Sequence, residues 1–219
     1  MGRKLLSEGI GTLLLLAIVA GSGIMGERLS GGNSAIALLA NTLATACGLY
    51  VLISMLGPIS GAHFNPLVSI IAWRDRSIDG STLLALITAQ LGGGVLGVGL
   101  AHAMFELPLM QWGIQTRTGM AQLLAEAVAT AGLILTIRLF SVHRPMQVAT
   151  GVASYIAAAY WFTASTCFAN PAVTIARSFT ATFSGIHPGD APGFIAAQIS
   201  GAFIGYFLAK KLSPAFSKL

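Results

Sequence analysis

A chain of 219 residues with 55% hydrophobic and only 9% charged residues, and a mean hydropathy of +0.79, lies far from the ~25% charged fraction of a soluble domain. That balance excludes a disordered chain and argues against an ordinary soluble enzyme. The net charge of +5 is spread too thinly to make a basic face for nucleic acid, and Cys47 and Cys167 each sit in apolar sequence, which indicates neither a disulfide framework nor a zinc cluster.

Apolar spans of the ~20 residues needed to cross a bilayer are expected, in chain order, at Glu8 to Met25, Ser34 to Leu56, Thr82 to Ala103, Met120 to Phe140, Val148 to Thr166 and Ala191 to Lys211. The first lacks the small-residue cleavage pattern of a signal peptide. No Asp, Glu, Lys or Arg occurs between Arg28 and Arg74, or from Pro145 to Ala176. Both runs exceed what one span requires. The first continues through Ser60-Gly61-Ala62-His63-Phe64-Asn65-Pro66-Leu67, the second through Ser165-Thr166-Cys167-Phe168-Ala169-Asn170-Pro171-Ala172. Asn-Pro starts a helix, with Asn as cap and Pro at the first helical position. Each run therefore predicts a re-entrant segment: a loop entering the membrane and a short helix leaving it. Irregular backbone at that depth is tolerated where it lines a water-filled cavity or is buried in protein.

The halves echo each other. Glu8-x-x-x-Thr12 matches Glu126-x-x-x-Thr130, Asn65-Pro66 matches Asn170-Pro171, and Ala89-Gln90 matches Ala197-Gln198, with Gly97 and Gly205 further along. Three spans per half invert the second half, giving repeats of approximately 1–105 and 119–219 within one channel domain. The Lys and Arg residues then divide unequally. With the N-terminus inside, Arg3, Lys4, Arg74, Arg76, Arg138, Arg144, Lys210, Lys211 and Lys218 face the cytoplasm, and Arg28, Arg117 and Arg177 face outward. The expected protein is an integral plasma (inner) membrane protein with both termini cytoplasmic.

Asn65 and Asn170 cap half-helices whose N-termini carry partial positive charge. Two such ends facing one point repel cations and pass neutral solutes. Glu8 and Glu126, carboxylates in apolar context, leave two readings open: a proton relay, or acceptors for loop amides. His63, His102, His143 and His187 have no acidic partner at ligand spacing, so no metal site is expected.

The paired Asn-Pro boxes, the Glu-x-x-x-Thr repeats and the six spans resemble the aquaporin, or major intrinsic protein, family over nearly the whole chain. The run Phe168 to Arg177 is most similar to aquaporins associated with bacterial arsenic resistance. The resemblance implies an all-α fold of six transmembrane helices and two re-entrant half-helices around a central pore, a homotetramer, no enzymatic activity and no cofactor. Its solutes would be water, glycerol-like polyols, arsenous acid and methylated arsenicals. It places Asn65, Pro66, Leu67, Asn170, Pro171 and Ala172 at the midplane, and Gly61, Ala62, His63 and Thr166 along the pore. Glu8 and Glu126 support the loops. Family spacing maps the selectivity filter onto Thr45, Ala158, Cys167 and Val173, so that valine stands where water-selective members have arginine. Leu67 replaces the usual alanine, either narrowing the midplane or repacking. Arg177 is expected at the outer vestibule as an interfacial arginine or an anion collector. The rival functions are a water-dominant aquaporin, a proton-coupled carrier using Glu8 or Glu126, and a scaffold with a closed pore.

Overall fold

The computed structural model describes residues 1–213; Lys218 of the charge count lies outside them. Eight α-helices are described: α1 Gly2–Leu29, α2 Ser34–Ser60, α3 Pro66–Arg74, α4 Gly80–Met104, α5 Met120–His143, α6 Val148–Phe162, α7 Pro171–Arg177 and α8 Ala191–Leu212. No strand occurs among the described residues. This is the aquaporin fold expected from the sequence.

Five helices, α1, α2, α4, α5 and α8, are long and apolar enough to cross a membrane. The sixth, α6, is shorter than the expected span to Thr166. It has 15 residues and stops at Phe162, and a 3₁₀ turn, Pro145–Gln147, leads into it. The chain leaves helical geometry there because Thr166, Cys167 and Ala169 adopt positive φ on the way to Asn170.

Local chemistry sets the boundaries. Asn33 caps α2 by accepting the amides of Ala35 and Ile36. Gly61, at φ +93°, ends the same helix in the left-handed conformation that glycine adopts without a Cβ penalty. Asp79 caps α4 through the Thr82 amide. Its carboxyl is held below the ordinary aspartate range, first by that amide and then by the Ser81 hydroxyl.

The same packing occurs in each half: α1 lies along α4, α5 along α8, and α2 meets α6 between them. Small residues permit the close approach. A Cβ on Gly97 of α4 would overlap the Leu13 carbonyl of α1, and one on Gly205 of α8 would overlap the Ala131 carbonyl of α5. Small-residue seams are how apolar helices gain van der Waals contact where water supplies no driving force. The short helices α3 and α7 are held inside this frame, α3 against α4 and α8, α7 against α4, α8 and α1.

Candidate functional site

Asn65 and Asn170 start the two short helices in mirrored fashion. Asn65 Oδ1 accepts the Leu67 amide at 2.9 Å; Asn170 Oδ1 accepts those of Ala172 and Val173 at 2.9 and 3.3 Å. Each side-chain amide also reaches across the midplane. Asn65 Nδ2 donates to the Ala169 carbonyl at 2.9 Å, and Asn170 Nδ2 donates to the Phe64 carbonyl at 2.8 Å. Phe64 and Ala169, each just before its Asn, both have φ +47°. Left-handed backbone at a residue other than glycine costs about 1–3 kcal/mol. Here that backbone belongs to the residues whose carbonyls receive the opposite asparagine. An amide carries two N–H groups, so each asparagine has one more to offer a passing oxygen.

Behind each loop lies a buried carboxylate. Glu8 Oε1 accepts the His63 amide (2.8 Å) and the Ser60 hydroxyl (2.7 Å), and Oε2 accepts the Phe64 amide (2.7 Å) and Gln90 Nε2 (2.8 Å). Glu126 Oε1 accepts the Phe168 amide (2.9 Å), and Oε2 the Ala169 amide (2.9 Å) and Gln198 Nε2 (2.6 Å). The glutamines continue to Ser69 and Thr174 on the half-helices. Thr12 and Thr130 bond back to the Glu8 and Glu126 carbonyls, each at 2.8 Å. The Glu-x-x-x-Thr and Ala-Gln patterns of the sequence thus belong to one hydrogen-bonded scaffold, built twice.

A cavity of about 380 Å³ runs past both asparagines. Toward the end where α3 closes, its wall includes Asp75, Ser77, Arg138 and Ser141; toward the end of α7 it includes Thr45, Tyr160, Cys167, Phe168, Val173 and Arg177. Gly61, Ala62 and His63 line the first loop, with His63 Nδ1 3.0 Å from the Ser69 hydroxyl.

Several expected placements change. Ala158 is exposed on the outer face of α6 and is off the wall, where Ile156 and Tyr160 stand instead. Positions 156 and 160 share a helix face and 158 points away; the count from the Asn-Pro box crosses a non-helical loop. Tyr160 donates its hydroxyl to Thr45 Oγ1 at 3.4 Å. Leu67 does not narrow the cavity. It packs with Ile71, Ile134, Ala202 and Tyr206 in a separate buried cluster. Pro66, Pro171 and Ala172 are likewise buried off the wall. Thr166 is off it too; its hydroxyl accepts from Arg117.

Arg177 is not interfacial. It is 2% exposed, its Nε donates to the Ser184 carbonyl, and its guanidinium carbon lies 3.4 Å from the centre of the Phe168 ring. Arg117, from the loop between α4 and α5, covers the same ring at 5.1 Å. Burial lowers its pKa below the ordinary arginine value, against the opposing pull of Glu126 and Tyr160. Sequence reasoning missed Tyr160 and this second arginine. At the other end Arg138 pairs with Asp75, and the Tyr206 hydroxyl donates to the same carboxylate at 2.9 Å.

A family model described as Major intrinsic protein matches residues 1–149. The chain belongs to the major intrinsic protein family. It is 49% identical to aquaglyceroporin AqpS of Rhizobium meliloti (strain 1021), over 96% of this chain and 90% of that protein. Aquaporin-2 of Rhizopus delemar is 29% identical over 69% of this chain and 44% of its own length. Among solved structures, the aquaglyceroporin from Plasmodium falciparum superimposes with a TM-score of 0.73 at 18% identity, covering 100% of this chain and 99% of that one. With its apolar helices, this major intrinsic protein is an integral membrane protein.

Proposed function

We propose that this major intrinsic protein is a passive channel for water and small uncharged solutes, including glycerol-like polyols, arsenous acid and methylated arsenicals. The observation that carries the reading is the single cavity that passes both capped asparagines, at a point where the N-termini of α3 and α7 concentrate positive charge. A solute entering it sheds water and needs replacement partners, or faces about 1–3 kcal/mol per unpaired polar group. Asn65, Asn170, the loop carbonyls, Thr45 and the Tyr160 hydroxyl supply them. Val173 offers an apolar wall in place of a guanidinium at that turn, which favours solutes with mixed polar and apolar faces. The 49% identity to an aquaglyceroporin supports the same solute class.

A proton-coupled carrier fits less well. Glu8 and Glu126 are fully buried, and their oxygens are committed to loop amides and glutamines. The orientation follows the Lys and Arg bias, with both termini in the cytoplasm, and the assembly is a homotetramer with one pore per subunit.

Stopped-flow light scattering on proteoliposomes tests the function. Wild-type protein passes water, glycerol and arsenous acid at rates independent of a pH gradient, and Val173→Arg cuts glycerol and arsenous acid flux far more than water flux. Water flux without glycerol or arsenous acid flux would establish the water-dominant alternative. Dependence on the pH gradient would establish the carrier.

A further inference from the structure

Each half-helix ends in an arginine, and the two are disposed differently. Arg74 of α3 is exposed and lies over the rings of Phe203, Tyr206 and Phe207 at 5.9, 5.0 and 5.5 Å. Arg177 of α7 is buried on the cavity wall. Its Nε is spent on the Ser184 carbonyl, while Nη1 has no hydrogen-bond partner among the described residues.

Nothing anionic compensates it. Arg117, on the other contact to Phe168, directs its side-chain N–H groups to the Gly185, Ser165 and Phe183 carbonyls and the Thr166 hydroxyl. The Asp190 carboxylate takes the backbone N–H of Arg117 and not its guanidinium. Glu126 is committed to two loop amides and Gln198. Asp75 is the cavity's one acidic wall residue and belongs to the opposite end, paired with Arg138. This end of the lumen therefore carries a buried guanidinium with an unspent N–H and no counter-charge, a state with a desolvation penalty that a bound anion relieves.

We propose that Arg177 anchors a binding site for a small monovalent oxyanion in this end of the lumen. The planar guanidinium fork matches a planar oxyanion, and Val173, Tyr160 and Phe168 on the same wall limit its size. Bound there, the anion obstructs the path of neutral solutes. The site rests on the pore reading only for that obstruction; anion binding itself does not depend on which solute passes.

Nitrate is the probe, with gluconate, too large for the lumen, as the reference anion at equal ionic strength. In wild-type proteoliposomes nitrate lowers glycerol and water flux at least twofold and saturably. Arg177→Leu abolishes that sensitivity. Arg177→Lys, which keeps the charge and loses the fork, weakens it. In detergent, nitrate raises the unfolding temperature of the wild type over that in gluconate, and Arg177→Leu loses the increment, a readout that needs no flux. If wild-type protein shows neither inhibition nor thermal stabilisation by nitrate, or if Arg177→Leu keeps both, the site does not exist. If glycerol does not pass but nitrate still slows water and raises the unfolding temperature, the proposed solute range fails and the anion site stands.

Discussion

Two residues before Asn65 stands His63; two before Asn170 stands Phe168. Around these positions the two re-entrant segments share a support and differ in what they show the lumen. Support means a buried glutamate under two loop amides, a glutamine bridging to the half-helix, and a threonine one turn on. The walls diverge. One end shows an imidazole bonded to Ser69; the other shows an aromatic ring held between two arginines. Backbone satisfaction has one good solution at membrane depth, so both halves keep it. Solute contact has many, so the halves are free to differ.

The largest expected effect comes from cutting the shared support. Glu8→Ala and Glu126→Ala each strand buried donors and should destabilise the fold by about 3–5 kcal/mol. Glu8 should be the worse loss, because it serves four donors against three for Glu126. Thermal unfolding in detergent measures the difference, and equal losses would mean that the Ser60 hydroxyl contributes nothing.

Next comes the residue after each Asn-Pro, Leu67 in one half and Ala172 in the other. Leu67→Ala makes the halves alike there. It empties a buried site packed by Ile71, Ile134, Ala202 and Tyr206 and should cost about 2–5 kcal/mol. Glycerol flux per folded channel should stay unchanged, and a rise would return Leu67 to the wall of the pore.

A subtler pair sits on α1 and α5. Gly11 lies where a Cβ would overlap the Phe64 ring; the matching positions in the second half are Ala129 and Ala169, both fully buried. One half combines a large loop residue with no side chain behind it, and the other uses two small ones. Gly11→Ala should cost about 1–3 kcal/mol by overpacking, and Ala129→Gly about 0.5–1 kcal/mol through backbone freedom. Guest-free unfolding curves of the two variants test the asymmetry.

The smallest effect is at the exposed start of α4. Asp79 has a folded-state pKa below its ordinary value, so its capping contribution is complete above the ordinary aspartate range. It is lost as pH falls through the depressed one. Amide exchange at Thr82, wild type against Asp79→Ala, should differ at neutral pH and converge in acid.

The sequence made the scaffold legible because buried carboxylates, glutamines and Asn-Pro caps are rare in apolar helices and recur at matched spacing. Lining residues were harder. Ala158 was located by counting back from Asn170 through a loop with three left-handed residues, where helical periodicity carries no information, and the wall belongs to Ile156 and Tyr160. Leu67 left narrowing and repacking equally open, since a leucine one residue past a cap has no pattern to reveal its direction. Arg177 and Arg74 are the same residue type at the same helix end; only packing against Phe168 in one case and Tyr206 in the other separates them.

The reciprocal bonds between each asparagine and the opposite loop's carbonyl also bear on how the chain is made. Asn65 emerges from the ribosome 104 residues ahead of its acceptor. At roughly 5–20 residues per second it spends seconds in or near the bilayer with its amide unanswered, and Phe64 holds left-handed backbone with no partner to justify it. The first hairpin therefore cannot be finished when it is synthesised. It becomes stable only when the last third of the protein arrives, which makes the midplane latch a checkpoint of biogenesis: a truncated or misinserted chain exposes polar groups in the membrane and is open to disposal before it can leak.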